Sequence, residues 1–180
     1  MNYKHIILTR FNLQYDLQSN IHIQDSWLEE RFRLFEQYCF PSIIAQTNQQ
    51  FDWVILVSDQ TPKNYLSRLA KHTNSHLNIY IELCTYYEDV NVLYNNIGEK
   101  YVHGYDYLLS TRVDNDDMLA KDFVETLQKL LPATHASAVL TFTNGIQWFE
   151  HKDMAFAVAY DRNHFLSFWE EKQNIRTSLG

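Results

Sequence analysis

Residues 107–117 read Tyr-Leu-Leu-Ser-Thr-Arg-Val-Asp-Asn-Asp-Asp. An apolar run stops at three carboxylates within four positions, Asp114, Asp116 and Asp117. The run reads as a buried strand, which places the acids at the strand's C-terminal end. In open α/β sheets that edge is where ligands bind. Carboxylates this close repel one another and stay ionised at neutral pH only with a cation nearby. The simplest chemistry is a divalent metal, Mg²⁺ or Mn²⁺, which takes hard oxygen ligands and is often held by one or two carboxylates plus substrate phosphates. Helix capping explains Asp116 or Asp117 as well, but not Asp114 at the strand edge. The glycine and the later glutamate of an EF-hand loop are missing, which argues against that site.

Working outward, the same grammar repeats. Residues 5–9 form a short apolar strand, and 12–25 are polar and irregular. Ser26 and Glu29 have capping-box spacing. Leu28, Phe32, Phe35 and Cys39 follow at helical intervals, with Pro41 expected to stop or kink the helix. Residues 53–57 are a second strand, and Thr61-Pro62 reads as a cap with a first-turn proline. A third strand is expected at 79–83, and a helix on Val90, Leu93, Tyr94, Ile97 and Tyr101. After the acids, Phe123, Val124, Leu127, Leu130 and Leu131 mark another helix. Segments 138–143 and 146–149 flank Asn144-Gly145, a hairpin turn signal. A further strand is expected at 154–160 and a last helix on Phe165, Leu166 and Trp169. Strand and helix alternate through the first two thirds, which predicts an α/β fold: a mainly parallel, mixed sheet flanked by helices.

At 180 residues the chain reads as one domain, 1–180. Aromatics reach 15%, enough for a heavy core or for sugar stacking. A formal net charge of −7 argues against a nucleic-acid surface, while leaving room for one small anion. Cys39 and Cys84 fit no zinc or disulfide spacing and read as buried thiols, so a reducing cytoplasm is the default. No apolar run approaches the ~20 residues of a membrane span, and the start lacks a signal-peptide core.

Other candidates lie at the same sheet edge. Thr9, Arg10 and Asn12 follow the first strand, and Arg10 suits a phosphate or an ordinary ion pair equally. Asp59 ends the second strand, where an acid commonly takes a ribose or base, or a turn. Arg112 lies just inside the strand beside the acids and needs a partner in either role. In the late hairpin, Glu150 or Asp153 could serve as general base and Trp148 could stack on a sugar. A solvated turn with a core tryptophan explains the same residues, and His151 and His164 read as surface residues before they read as metal ligands.

Together these pieces resemble a nucleotide-sugar glycosyltransferase of the GT-A fold, and more closely a bacterial family of rhamnosyltransferases related to family 2. The matching stretches are Leu-Thr-Arg-Phe-Asn at 8–12, Trp27, Arg31 and Phe35, Pro-Ser-Ile-Ile-Ala-Gln-Thr at 41–47, Phe51-Asp52-Trp53, Ser58-Asp59 with Thr61-Pro62, Ser-Thr-Arg-Val-Asp-Asn-Asp-Asp at 110–117, and Asn144-Gly145. The resemblance implies a GT-A-like sheet and a metal–diphosphate site on Asp114 and Asp116 with Asp117 in support. It implies a donor pocket lined by Thr9, Arg10 and Asp59, to which Arg112 and Asn115 are added from their place beside the acids. It implies inverting transfer of a sugar, rhamnose among the candidates, from a nucleotide-diphosphate donor to a glycan acceptor for cell-surface polysaccharide. The location it implies is cytoplasmic or peripheral to the inner membrane. The chain is expected to end before the C-terminal part such enzymes often carry, with Glu170-Glu171 the nearest match to their late acidic pair. A non-catalytic nucleotide-sugar or glycan-binding module is the alternative. A phosphohydrolase fits less well, because the first strand carries no nucleophilic aspartate.

Overall fold

The computed structural model describes residues 1–14, 16, 18–86, 89–131, 137–161, 163 and 165–175. Its strands are β1 (Tyr3–Arg10), β2 (Asp52–Ser58), β3 (Ile79–Cys84), β4 (Tyr107–Arg112), β5 (Ala138–Leu140), β6 (Asn144–Phe149), β7 (Met154–Ala159) and β8 (Ser167–Glu171). Its helices are α1 (Asp25–Leu34), α2 (Phe40–Ile44), α3 (Lys63–Thr73), α4 (Val90–Tyr101) and α5 (Phe123–Lys129). Six strands form one sheet in the order β3-β2-β1-β4-β8-β5. β1 runs parallel to β2 and β4, and β2 runs parallel to β3, whereas β8 is antiparallel to both β4 and β5. This is the mixed, mainly parallel α/β sheet the alternation predicts.

The central strands are apolar on both faces because both faces are covered. Ile7, Trp53, Ile55 and Leu109 pack with Phe32 and Phe35, with Leu69 of α3 and with Val124 of α5. Ile6, Leu8, Val54 and Leu108 point the other way, onto Leu93, Tyr94 and Ile97 of α4. Cys39 and Cys84 are buried free thiols, and burial pushes the Cys84 thiol up to about 11.

Several local expectations are corrected. Ser26 does not cap α1; the helix begins at Asp25 with Gln24 at its N-cap, and the Glu29 carboxylate is turned to Arg68 (2.8 Å) instead of reaching back. Pro41 does not end the helical run. A wider π turn, Phe35–Cys39, precedes it, and α2 continues to Ile44. Proline lacks an N–H and crowds the carbonyl four residues back, and the widened turn absorbs both defects. Thr61 is not a cap either: its hydroxyl donates to the Ser58 carbonyl (2.7 Å) and accepts from Asn12 (2.8 Å), leaving Pro62 at the N-cap of α3.

Larger corrections fall after residue 137. Asn144-Gly145 lies inside β6 and makes no turn; the hairpin is β6–β7, turning through 150–153 with Asp153 left-handed at φ 49°. Trp148 lies exposed on β6, not in the core. The expected last helix is the strand β8, inserted between β4 and β5. A short aromatic-rich run cannot be sorted by periodicity alone. Here the open edge of β4 decides, because its backbone groups need a partner. Glu170 is accordingly a strand residue, and it is buried. His164 lies outside the described residues.

Candidate functional site

β1 and β4 are neighbours in the sheet, and the chain leaves them toward opposite sides: β2 and β3 lie beyond β1, β8 and β5 beyond β4. Their C-terminal ends therefore flank a topological switch point, where open α/β sheets form a crevice. Arg10 closes β1, and Arg112 closes β4 just before Asp114. A cleft of about 380 Å³ opens there, lined by Arg10, His22, Trp27, Arg31, Asp114 and Asp116 among others.

Asp114 bridges the two strand ends. Its Oδ1 accepts from Arg10 Nε (3.1 Å) and Nη2 (3.0 Å) and from Arg112 Nε (3.3 Å). Its Oδ2 accepts from Arg10 Nη2 (3.1 Å) and Arg112 Nη2 (2.7 Å). The partner that a charged Arg112 requires is thus Asp114. Asp116 pairs with Arg31 of α1 (2.7 Å), whose guanidinium lies 5.1 Å over the Trp27 ring. Trp27 and Arg31 are four apart and so share one helix face. Asn115 is buried; its amide donates to the Phe11 carbonyl (3.0 Å) and its Oδ1 faces Arg31 Nη1 (3.4 Å).

Asp117 is half-buried beside this pair. Burial first, then the charges of Asp116 and Asp114, push its carboxyl up to about 7. A carboxyl raised on folding favours the folded state at low pH, and that contribution is lost as pH rises through about 7. Asp117→Asn is therefore expected to gain roughly 2–4 kcal/mol on wild type between pH 4 and pH 8 in urea unfolding. Parallel stability curves for the two proteins would rule the shift out.

The expected residues are not all brought together. Thr9 is buried and accepts a hydrogen bond from Trp53 Nε1 (2.9 Å), so its side chain faces the core and not the cleft. Asp59 stands exposed at the end of β2, outside the cleft lining. Glu150 and Asp153 sit on the β6–β7 turn, also outside it. Both Glu150 oxygens accept from Arg33 (2.7 Å each), and Tyr38 donates to one of them (2.8 Å). Arg33 and then Tyr38 hold the Glu150 carboxyl below its ordinary range, opposite to the tuning of a general base near neutral pH. His151 is exposed on the same turn.

Two cleft residues were given no role from sequence. Arg31 belongs to the Trp27, Arg31 and Phe35 stretch of the family resemblance but otherwise looks like any charge on a solvated helix face; its spacing from Trp27 was the available clue. His22 is buried on a 3₁₀ turn, Ile21–Ile23, and its Nε2 has no hydrogen-bond partner among the described residues. Burial lowers its pKa, against a hydrogen bond to the Ser19 backbone.

The donor set does not fit a divalent metal as folded. Among the described residues no three His, Cys, Asp or Glu groups converge on one point, so a metal here would rest on one or two carboxylates and the ligand's own phosphates. Asp114 offers about four lone-pair directions, and five guanidinium contacts already occupy them. A dication on either oxygen would stand against two fixed cations.

A family model described as "putative rhamnosyl transferase" matches residues 5–169. The chain belongs to this family. The match runs from β1 into β8 and includes both strand ends that carry the arginines. No curated protein matches the chain at a significant level. Among the described residues of this rhamnosyl transferase family member, no helix is long and apolar enough to cross a membrane.

Proposed function

We propose that the protein transfers a sugar from a nucleotide-diphosphate donor to a glycan acceptor, with rhamnose the first sugar to test because of the family's description. The observation that carries this reading is the Arg10–Asp114–Arg112 cluster at the switch point between β1 and β4. Paired guanidiniums at that edge match the geometry of a diphosphate, and the family gives the diphosphate its purpose. Arg10 and Arg31 line the cleft and face the phosphates; Arg112, outside the lining, stands behind Asp114 and is reached when that carboxylate gives way. Trp27 and Asn115 line the cleft around them, and Asp59, at the neighbouring strand end, takes the ribose or base.

The acceptor oxygen attacks the anomeric carbon as the bond from that carbon to the diphosphate oxygen breaks. The acceptor proton passes to a carboxylate, and charge growing on the leaving diphosphate is met by the guanidiniums. In-line displacement inverts the anomeric centre. Asp16 and Asp116 are the cleft acids not locked between two arginines, and they are the carboxylates to test as base.

The test is release of UDP, GDP or dTDP from a panel of matching sugar donors, with glycan acceptors, in the presence and absence of Mn²⁺. Acceptor-dependent turnover of one donor class is the expected result, with Arg31→Gln lowering it at least about tenfold through lost transition-state charge neutralisation. One observation favours a binding module instead: Glu150 is held by Arg33 and does not reach the cleft. Donor binding with no turnover against any acceptor would establish that alternative.

A further inference from the structure

We infer that the cleft binds its diphosphate without a divalent metal: Arg10, Arg31 and Arg112 supply the countercharge, and Asp114 and Asp116 are stand-ins that hold these guanidiniums until the ligand arrives. The inference rests on the donor reading above and makes a separate claim about how that donor is held.

Three observations converge. The first is saturation. Five guanidinium contacts from Arg10 and Arg112 already fill the lone-pair directions of Asp114, so a metal would have to displace an arginine to reach it. The second is geometric. Arg112 presents Nε and Nη2 to the two Asp114 oxygens, and Arg10 brings the same pair of nitrogens to that carboxylate from the end of the neighbouring parallel strand. That fork accepts a phosphate's oxygens as readily as a carboxylate's. A carboxylate on a two-guanidinium seat therefore marks where a second, more highly charged anion can exchange in. The third observation is independent of the ions. His22 lines the same cleft with an Nε2 that is buried and has no partner among the described residues, a group whose desolvation is otherwise uncompensated. A diphosphate or its attached sugar in the cleft would supply the missing partner.

The two ways of holding a diphosphate predict opposite signs for one substitution. If Asp114 is a metal ligand, Asp114→Asn abolishes nucleotide binding. If it is a stand-in, Asp114→Asn removes a competitor for Arg10 and Arg112 and tightens binding. The experiment is calorimetric titration of UDP, GDP and dTDP into wild type, Asp114→Asn, Arg31→Gln and Arg112→Gln, in EDTA and in Mn²⁺, with circular dichroism confirming that each variant folds. The expected result is binding of one nucleotide in EDTA, at a Kd within about threefold of that in Mn²⁺. Asp114→Asn should tighten it by about three- to tenfold, and each arginine variant should weaken it at least about tenfold, by loss of charge-assisted bonds. Binding seen only with Mn²⁺ and lost in Asp114→Asn overturns the inference and leaves the donor reading standing. Binding of no nucleotide under either condition overturns the donor reading as well. If Asp114→Asn does not fold, the EDTA arm and the two arginine variants decide the matter.

Discussion

Acidifying Asp117→Asn from pH 7.5 to pH 4.5 is expected to remove about 3 kcal/mol of stability through one residue, His5. This histidine is buried on β1, an interior strand of the sheet, against α5. Gln128 of α5 donates to its Nδ1 (3.0 Å), so Nε2 carries the proton and donates to Thr111 Oγ1 (3.1 Å) on β4. Thr111 is bonded in turn to Ser167 of β8 (2.8 Å), so one neutral imidazole ties α5 to three strands. The Gln128 amide is oriented by its own contacts, donating to the Gln50 carbonyl (3.0 Å) and accepting from Asn48 (2.8 Å). Burial drives the His5 pKa down to about 3. A base whose pKa is lowered on folding stabilises fully above its unfolded value, near 6.5, and loses that contribution as pH falls toward 3. In the Asp117→Asn background, unfolding stability in urea should therefore fall with a slope of about one proton per molecule between pH 6 and 4.5. Adding His5→Gln, which keeps a donor for Thr111, should remove that step. Equal slopes in the two proteins would show that His5 is not the acid trigger. Asp117 works in the opposite sense and by a similar amount between about pH 4 and 7, so the two contributions nearly cancel in wild type, and wild type and the double variant His5→Gln/Asp117→Asn should both have flatter profiles than either single variant.

The second large effect concerns the two buried tryptophans, which are alike in burial and opposite in chemistry. Trp53 on β2 and Trp169 on β8 are both fully enclosed. Truncating either to alanine is expected to cost roughly 3–5 kcal/mol by lost burial and the cavity left behind. Phenylalanine separates them. The Trp53 indole donates to Thr9 Oγ1 (2.9 Å), so Trp53→Phe strands a buried hydroxyl and adds roughly 1–3 kcal/mol to the loss of volume. The Trp169 indole N–H has no partner among the described residues, and its ring stacks on Tyr107 at 4.7 Å and 5° with Tyr3 edge-on at 5.4 Å. Trp169→Phe keeps an aromatic ring in that stack and removes an unpaired donor, so it should cost clearly less than Trp53→Phe. Denaturant midpoints of the four variants check this, and a larger loss for Trp169→Phe than for Trp53→Phe would refute it.

The half of the molecule that was legible from sequence is the half where one physical signal dominates. β1 to β4 are continuous apolar runs because helices cover both faces, and such runs stand out against any loop. The acid edge was legible for the same reason, since three charges after Val113 can only lie outside the sheet. What the sequence did not reveal was the two distant arginines. Crowded carboxylates require positive charge, and a metal is the simplest guess, but Arg10 and Arg31 come from about a hundred and about eighty residues away and meet the acids only through folding. After residue 137 several signals compete. Phe165, Leu166 and Trp169 suit a helix or a strand, and only the unpaired edge of β4 selects the strand. Asn144-Gly145 has turn chemistry yet is spent inside β6, because the tighter constraint falls at Asp153, where the backbone goes left-handed.

The place of β8 has a consequence for how the chain comes off the ribosome. The last of the described strands to be made is the second from one edge of the finished sheet, and β5 has no partner among the described strands until β8 arrives. Strands β1 to β4 can assemble as they emerge, but the outer side of β4 then waits for residues 167–171, roughly 3–12 s later at ~5–20 residues per second. Through that interval the nascent domain exposes a bare, apolar strand edge, the kind of surface that templates wrong pairings between neighbouring chains. Yield on overexpression should therefore be governed by how quickly β8 slots in, and slow translation between the codons for β4 and β8 would lengthen the period of greatest hazard.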